Sequence, residues 1–153
     1  MDATRSTSVR FVDTNVLLYA ISREPDEQAK ASRANEILTA GDLALSVQVL
    51  QEFYVQATRA SRPDPISHQQ AAGLIDSWCR FPVQATTVAL MRAALATQER
   101  FGISYWDAAI LEASRALGCS VVLSEDLDTG TDYAGVRVED PFGSVTSVTP
   151  PAG

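Results

Sequence analysis

Residues 10–20, RFVDTNVLLYA, join a short apolar run to a helical pattern through three polar residues. An apolar run ends at Phe11 and Val12, a carboxylate follows at Asp13, and beyond Thr14 and Asn15 an apolar stretch of helical type begins. A buried strand that passes at once into a helix is the building unit of an α/β sheet. Asp, Thr and Asn at that turn have a local explanation, because all three residue types form turns and cap helices. They also have a chemical one: open α/β sheets bind their ligands at the carboxyl ends of the strands.

Residues 9–12 are predicted as the first strand and 15–22 as a short helix. DEQAKASRANEILTAG (26–41) predicts a helix with Ala34, Ile37 and Leu38 inward and Gly41 as its stop. LALS (43–46) predicts a second strand, and Ser46 caps a helix whose inner face is Val49, Leu50, Phe53 and Ala57. RPDPI (62–66) breaks the chain, and Ser67 with Gln70 forms a capping box that opens a helix through Leu74, Ile75 and Trp78. PVQAT (82–86) is read as a strand. Thr87 starts a helix that Gly102 ends, Ser104 starts another that Gly118 ends, and SVVLS (120–124) and VRVE (136–139) are the last strands. Strands alternating with helices predict a parallel sheet with helices on both faces.

The 153 residues, 46% of them hydrophobic, suit one domain with a real core, placed at 1–142. Residues 1–8 are read as a loose polar lead, and the Pro-, Gly-, Ser- and Thr-rich residues 143–153 as a flexible tail. No run is long enough to span a bilayer and no basic-plus-apolar leader opens the chain, so a soluble, cytoplasmic protein is expected. Cys79 and Cys119 are too few for a disulfide framework and lack zinc-site spacing; both are expected to be reduced and partly buried. His68, the only histidine, is read as a surface residue. The net charge of −7 argues against a protein that coats nucleic acid by bulk charge. It does not exclude an enzyme that reaches phosphates through divalent metals, since such an enzyme concentrates carboxylates.

Four carboxylates occupy positions that local structure does not fully explain. Asp13 ends the first strand. Glu52, in QVLQEFYVQ, borders the apolar stripe of its helix instead of sitting at the centre of the polar face. Asp107 lies in the first turn of a helix, three residues after Ser104, and Asp126 follows the strand SVVL. Each has an ordinary reading: Asp13 as a helix cap, Ser104 with Asp107 as a capping box, Glu52 as a solvated helix residue, Asp126 as part of a polar turn. In a parallel sheet, however, strand ends and the N-termini of neighbouring helices open on one edge, so these acids should meet there. Carboxylates brought together repel and shift one another's protonation, an arrangement that a hard divalent cation relieves.

FVDTNVLLY around Asp13, QVLQEF around Glu52, ISYWDAAIL around Asp107 and LSEDLDTG around Asp126 together resemble a PIN-domain ribonuclease of the VapC toxin type, over nearly the whole chain from Val9 to Pro141. The resemblance implies a three-layer α/β/α sandwich with a mostly parallel central sheet. It implies metal-dependent cleavage of RNA and a small VapB-like antitoxin partner, with homodimers a family tendency. On that reading Asp13, Asp107 and Asp126 bind Mg²⁺ or Mn²⁺, Glu52 acts through a bound water, and Asp128 is an auxiliary ligand. Thr14, Asn15 and Ser124 orient the site, and Arg59, Arg62, Tyr105 and Trp106 are the candidates for contact with RNA. A non-cleaving PIN-like RNA- or protein-binding domain is the rival of a different class, and degenerate members of that kind should lose ligands. A HAD-type phosphatase would carry a second Asp where Asn15 stands, and a receiver domain would need a Lys near the end, whereas the only Lys is Lys30.

Overall fold

The computed structural model describes residues 9–143. Six strands form one sheet in the order β3-β2-β1-β4-β6-β5. They are β1 (Arg10–Val12), β2 (Leu43–Ser46), β3 (Val83–Gln84), β4 (Val121–Leu123), β5 (Asp132–Tyr133) and β6 (Val136–Glu139). All neighbours pair in parallel except β5 with β6, a short antiparallel pair. Residues 132–133 are not predicted as a strand from sequence, because a two-residue strand carries no periodicity.

Helices connect the strands: α1 (Thr14–Ala20), α2 (Gln28–Ala40), α3 (Val47–Thr58), α4 (His68–Trp78), α5 (Val88–Phe101) and α6 (Tyr105–Ala116), with a 3₁₀ turn at Pro25–Glu27 before α2. They flank the sheet, giving the expected sandwich. The predicted start of the second helix, at 26, is this 3₁₀ turn; α2 ends where expected, with Gly41 left-handed at φ 92°. The capping box at Ser67 and Gln70 is made in full.

The core explains why β1 is central. Phe11 and Val12 have no exposed surface, and on the neighbouring strands Ala44, Leu45 and Val122 have none either. Each such Phe, Leu or Val contributes about 1.5–3 kcal/mol by leaving water. Phe142, just beyond the carboxyl end of β6, is buried and edge-on to Tyr19 at 4.9 Å. Cys119 is buried, but Cys79 is exposed at the C-cap of α4, which corrects the expectation of partial burial. His68 is on the surface, its Nδ1 within 3.0 Å of the Tyr54 hydroxyl. The expected loose lead, residues 1–8, and all of the expected 143–153 tail beyond Gly143 lie outside the described residues.

Strand order fixes where a ligand can go. From β1 the chain winds through β2 to β3, then crosses back to place β4 on the other side of β1. The order therefore reverses between β1 and β4, and an open α/β sheet forms its crevice at the carboxyl ends of such a pair. Asp13 leaves β1 there with its N–H bonded to the Leu123 carbonyl at 3.0 Å, and Ser124 leaves β4 with its N–H bonded to the Glu139 carbonyl at 3.0 Å. Among the described residues no helix is long and apolar enough to cross a membrane.

Candidate active site

Asp13 is both a helix cap and a cleft residue. As N-cap of α1 it is only 9% exposed, and its Oδ1 accepts the Thr14 N–H at 2.7 Å. Its Oδ2 accepts the Ser124 hydroxyl at 2.7 Å. Ser124 is fully buried, and its Oγ in turn accepts the N–H groups of Asp126 and Leu127 at 3.1 and 3.2 Å. One hydroxyl thus ties the end of β1 to the turn after β4. Asn15 makes the second tie. Its Nδ2 donates to Ser124 Oγ and Asp126 Oδ2, both at 3.2 Å, and reaches Asp13 Oδ2 at 3.4 Å; its Oδ1 accepts the Glu125 N–H at 3.1 Å.

Glu52 arrives from α3. Half-buried at the edge of the apolar face, it accepts the Thr14 hydroxyl at 2.9 Å and the Gln48 amide at 3.3 Å. Asp107 arrives from the first turn of α6. Ser104 Oγ accepts the Asp107 N–H at 3.0 Å, the reciprocal bond of a capping box is not made among the described residues, and the Asp107 side chain lines the cleft. Asp13, Glu52, Asp107 and Asp126 all line one cleft of about 170 Å³, together with Gln48 and Gln56.

The electrostatics follow from this packing. Burial pushes Asp13 up to a pKa of about 6, against the pull of its bonds from Ser124 and Thr14, and the charges of Asp126 and Glu52 add to the rise. Asp107 is raised in the same direction, first by burial and then by Asp126 and Glu52, with Ser104 working the other way. Among the described residues, no three Asp, Glu, His or Cys side chains already close around a single point. Uncompensated carboxylates repel, and the Asn15 amide stands between those of Asp13 and Asp126. The chemistry of the donor set is that of a hard divalent cation: four carboxylates line the cleft, and among the described residues no imidazole or thiol does.

The other predicted residues are placed unevenly. Trp106 lines the cleft and is 62% exposed. Arg62 lines an adjoining hollow, and Arg59 lines a shallow depression with Glu52 and Gln56. Tyr105 does not line the cleft; it packs on the Ala94, Ala108 and Ala109 cluster between α5 and α6. Asp128 does not reach the cleft either. The buried Leu127 anchors the turn, and beyond it the Asp128 carboxylate accepts the Thr131 hydroxyl at 3.3 Å. Gln48 and Gln56 are absent from the sequence reading. Their signal is the four-residue spacing Gln48, Glu52, Gln56, which stacks all three on one side of α3.

A family model for the PIN domain matches residues 10–131. No curated protein sequence matches the chain. Among solved structures, it is similar to a toxin-antitoxin complex from Klebsiella pneumoniae, at 18% identity and a TM-score of 0.62 over 86% of this chain and 97% of that one. It is similar to VapC20 of Mycobacterium tuberculosis, a sarcin-ricin loop cleaving toxin, at 19% identity and a TM-score of 0.60 over 76% and 88%. It is also similar to FitAcB from Neisseria gonorrhoeae, at 18% identity and a TM-score of 0.57 over 87% and 98%.

Proposed function

The chain belongs to the PIN domain family, and from that premise we propose that it is a divalent-metal-dependent endoribonuclease, the toxin of a toxin–antitoxin pair held in check by a small antitoxin. The observation that carries the reading is that Asp13, Glu52, Asp107 and Asp126, drawn from four separate segments, line one cleft at the β1–β4 switch point. The toxins among the similar structures support the biological role.

Asp13, Asp107 and Asp126 would hold Mg²⁺ or Mn²⁺, with Glu52 joining through water. When bound, the cation supplies charge to the phosphodiester and lowers the pKa of water for attack. The chain's own residues do the rest. Ser124 and Thr14 fix the Asp13 carboxylate at both oxygens, and Asn15 keeps Asp126 facing it. Thr14 and Gln48 hold Glu52 at the cleft, leaving it able to orient a water. Trp106 offers an exposed ring on which a base can stack, and Arg59 and Arg62 supply positive charge beside the acids. The intact acid set favours cleavage over the non-cleaving alternative.

The test is cleavage of RNA by purified protein. Activity is expected with Mg²⁺ or Mn²⁺ and is expected to vanish in EDTA and return on adding metal in excess; undiminished cleavage in chelator would overturn the metal mechanism. Ser124→Ala tests the support beneath Asp13. It leaves Asp13 Oδ2 without its closest donor, and the loss of such a supporting bond is expected to weaken Mn²⁺ binding about 10–100-fold. Because a metal that binds only the folded state stabilises it by mass action, the loss reads out as a melting temperature that needs more Mn²⁺ to rise. Equal Mn²⁺ dependence in wild type and Ser124→Ala would remove Ser124 from the site.

A further inference from the structure

Next to the acidic cleft, and sharing Asn15, Leu18, Gln56 and Asp126 with it, lies a hollow of about 240 Å³. Most of the polar groups in its wall are already engaged. The Glu125 carboxylate accepts from Lys30 and, at 2.6 Å, from the Tyr19 hydroxyl, and Asn15 is bonded across the site. Three groups have capacity left. Arg62 Nε is buried and has no partner among the described residues, and the guanidinium's one bond is a long 3.4 Å contact from Nη2 to the Leu18 carbonyl. The Gln56 amide makes no hydrogen bond among the described residues. Glu27, in the 3₁₀ turn before α2, takes the Ser22 hydroxyl on Oε1 at 2.6 Å and keeps Oε2 available.

Arg62 Nε is closed off from solvent, so an acceptor in the hollow meets the other end of the guanidinium, where Nη1 makes no hydrogen bond among the described residues. A phosphate fits this hollow badly. Its wall holds the carboxylates of Glu27, Glu125 and Asp126, and the one nearby ammonium, Lys30, is bound to Glu125. The arrangement suits a neutral group with acceptors on one edge and donors on another. Among the bases, guanine carries O6 and N7 as paired acceptors, the commonest target of an arginine fork, while its N1–H and exocyclic amine can meet a carboxylate. Unstacked bases of single-stranded RNA are read by hydrogen bonds of this kind.

We propose that the hollow is a guanine subsite for a nucleotide flanking the scissile phosphate of single-stranded RNA, with Arg62 reading the O6 and N7 edge and Glu27 the N1–H and amine edge. Gln56 stands at the join between subsite and cleft and is placed to fix the strand as it passes from one to the other. The inference rests on the ribonuclease reading and deepens it by naming a feature of the substrate.

The experiment uses short single-stranded RNAs that differ only in the nucleotides flanking the cleaved bond, with guanine, inosine, adenine, cytosine or uracil at each. Wild type is expected to prefer guanine over inosine, which lacks the exocyclic amine, by about tenfold in kcat/KM at one flanking position, and over adenine by more. Glu27→Gln is expected to collapse the guanine-over-inosine ratio, and Arg62→Met the guanine-over-adenine ratio, each in protein of matched melting temperature. If Arg62→Met lowers kcat/KM by one common factor for every RNA, Arg62 holds a phosphate and the proposal is overturned. A wild type indifferent to all flanking bases overturns it too, while leaving ribonuclease activity intact. Failure to cleave any RNA in the presence of Mg²⁺ or Mn²⁺ overturns the ribonuclease reading and the subsite with it.

Discussion

Asp13→Asn is expected to lower RNA cleavage by about 10³-fold while the protein remains folded. The substitution keeps the shape of the side chain, keeps an oxygen for the Thr14 N–H, and replaces one good N-cap residue with another. What it removes is one full negative charge at the centre of the acid set. Metal catalysis supplies several kcal/mol of charge stabilisation in the transition state, and about 4 kcal/mol corresponds to three decades in rate. Asp107→Asn and Asp126→Asn are expected to fall in the same direction. If the protein arrests bacterial growth when expressed without its antitoxin, the Asp13 variant should accumulate without arresting it. Cleavage within a few-fold of wild type by folded Asp13→Asn protein would show that Asp13 is not an essential ligand.

The same substitution is expected to make the metal-free protein more stable, and by an amount that depends on pH. Burial raises the Asp13 pKa from 3.8 to about 6 on folding. The native state therefore holds its proton more tightly than the unfolded chain, and stability falls as pH rises. This contribution is fully present below about pH 3.8 and is lost as pH rises through about 6. The shift corresponds to about 3 kcal/mol against the ionised wild type at neutral pH and above, at 1.36 kcal/mol per unit. Asn carries no such penalty, but it returns about 1 kcal/mol because it cannot accept the Ser124 hydroxyl at the position of Oδ2. In EDTA at pH 8 the variant should be more stable by about 1–2 kcal/mol in chemical denaturation, and the gain should disappear between about pH 6 and pH 4. Adding Mn²⁺ at pH 8 should reverse the order, since only the wild type keeps the full ligand set. A variant less stable than wild type in EDTA at pH 8 would show that Asp13 is not held against its charge.

The layers, the parallel sheet and the positions of the four candidate acids are legible in the chain's local patterns. Alternation of apolar strands with helices is a local property, and Asp13 and Asp126 follow directly from where two apolar runs stop. Once those runs lie parallel, their carboxyl ends must open on one edge, and so must the N-terminus of α6, which brings Asp107 with it. The capping serines were legible for the same reason, since a cap acts within four residues. Direction of side chains and meetings between distant segments come only from packing. Ser104 and Asp107 match a capping box in sequence, yet only the packing of α6 shows that the reciprocal bond is not made among the described residues and that Asp107 lines the cleft. Tyr105 and Trp106 are neighbours in sequence, but a helix turns about 100° per residue, so one packs under α5 and the other meets solvent at the cleft. Asp126 and Asp128 flank a buried Leu127, and the turn it anchors keeps only the first within reach of Asn15. The hollow beside the acids joins residues from the loop before α2, from α3 and from the segment beyond it, and its Lys30–Glu125 pair spans 95 positions. No local pattern records such a meeting, because it exists only after α1, the 3₁₀ turn, α3 with the segment beyond it, and the turn after β4 have packed together.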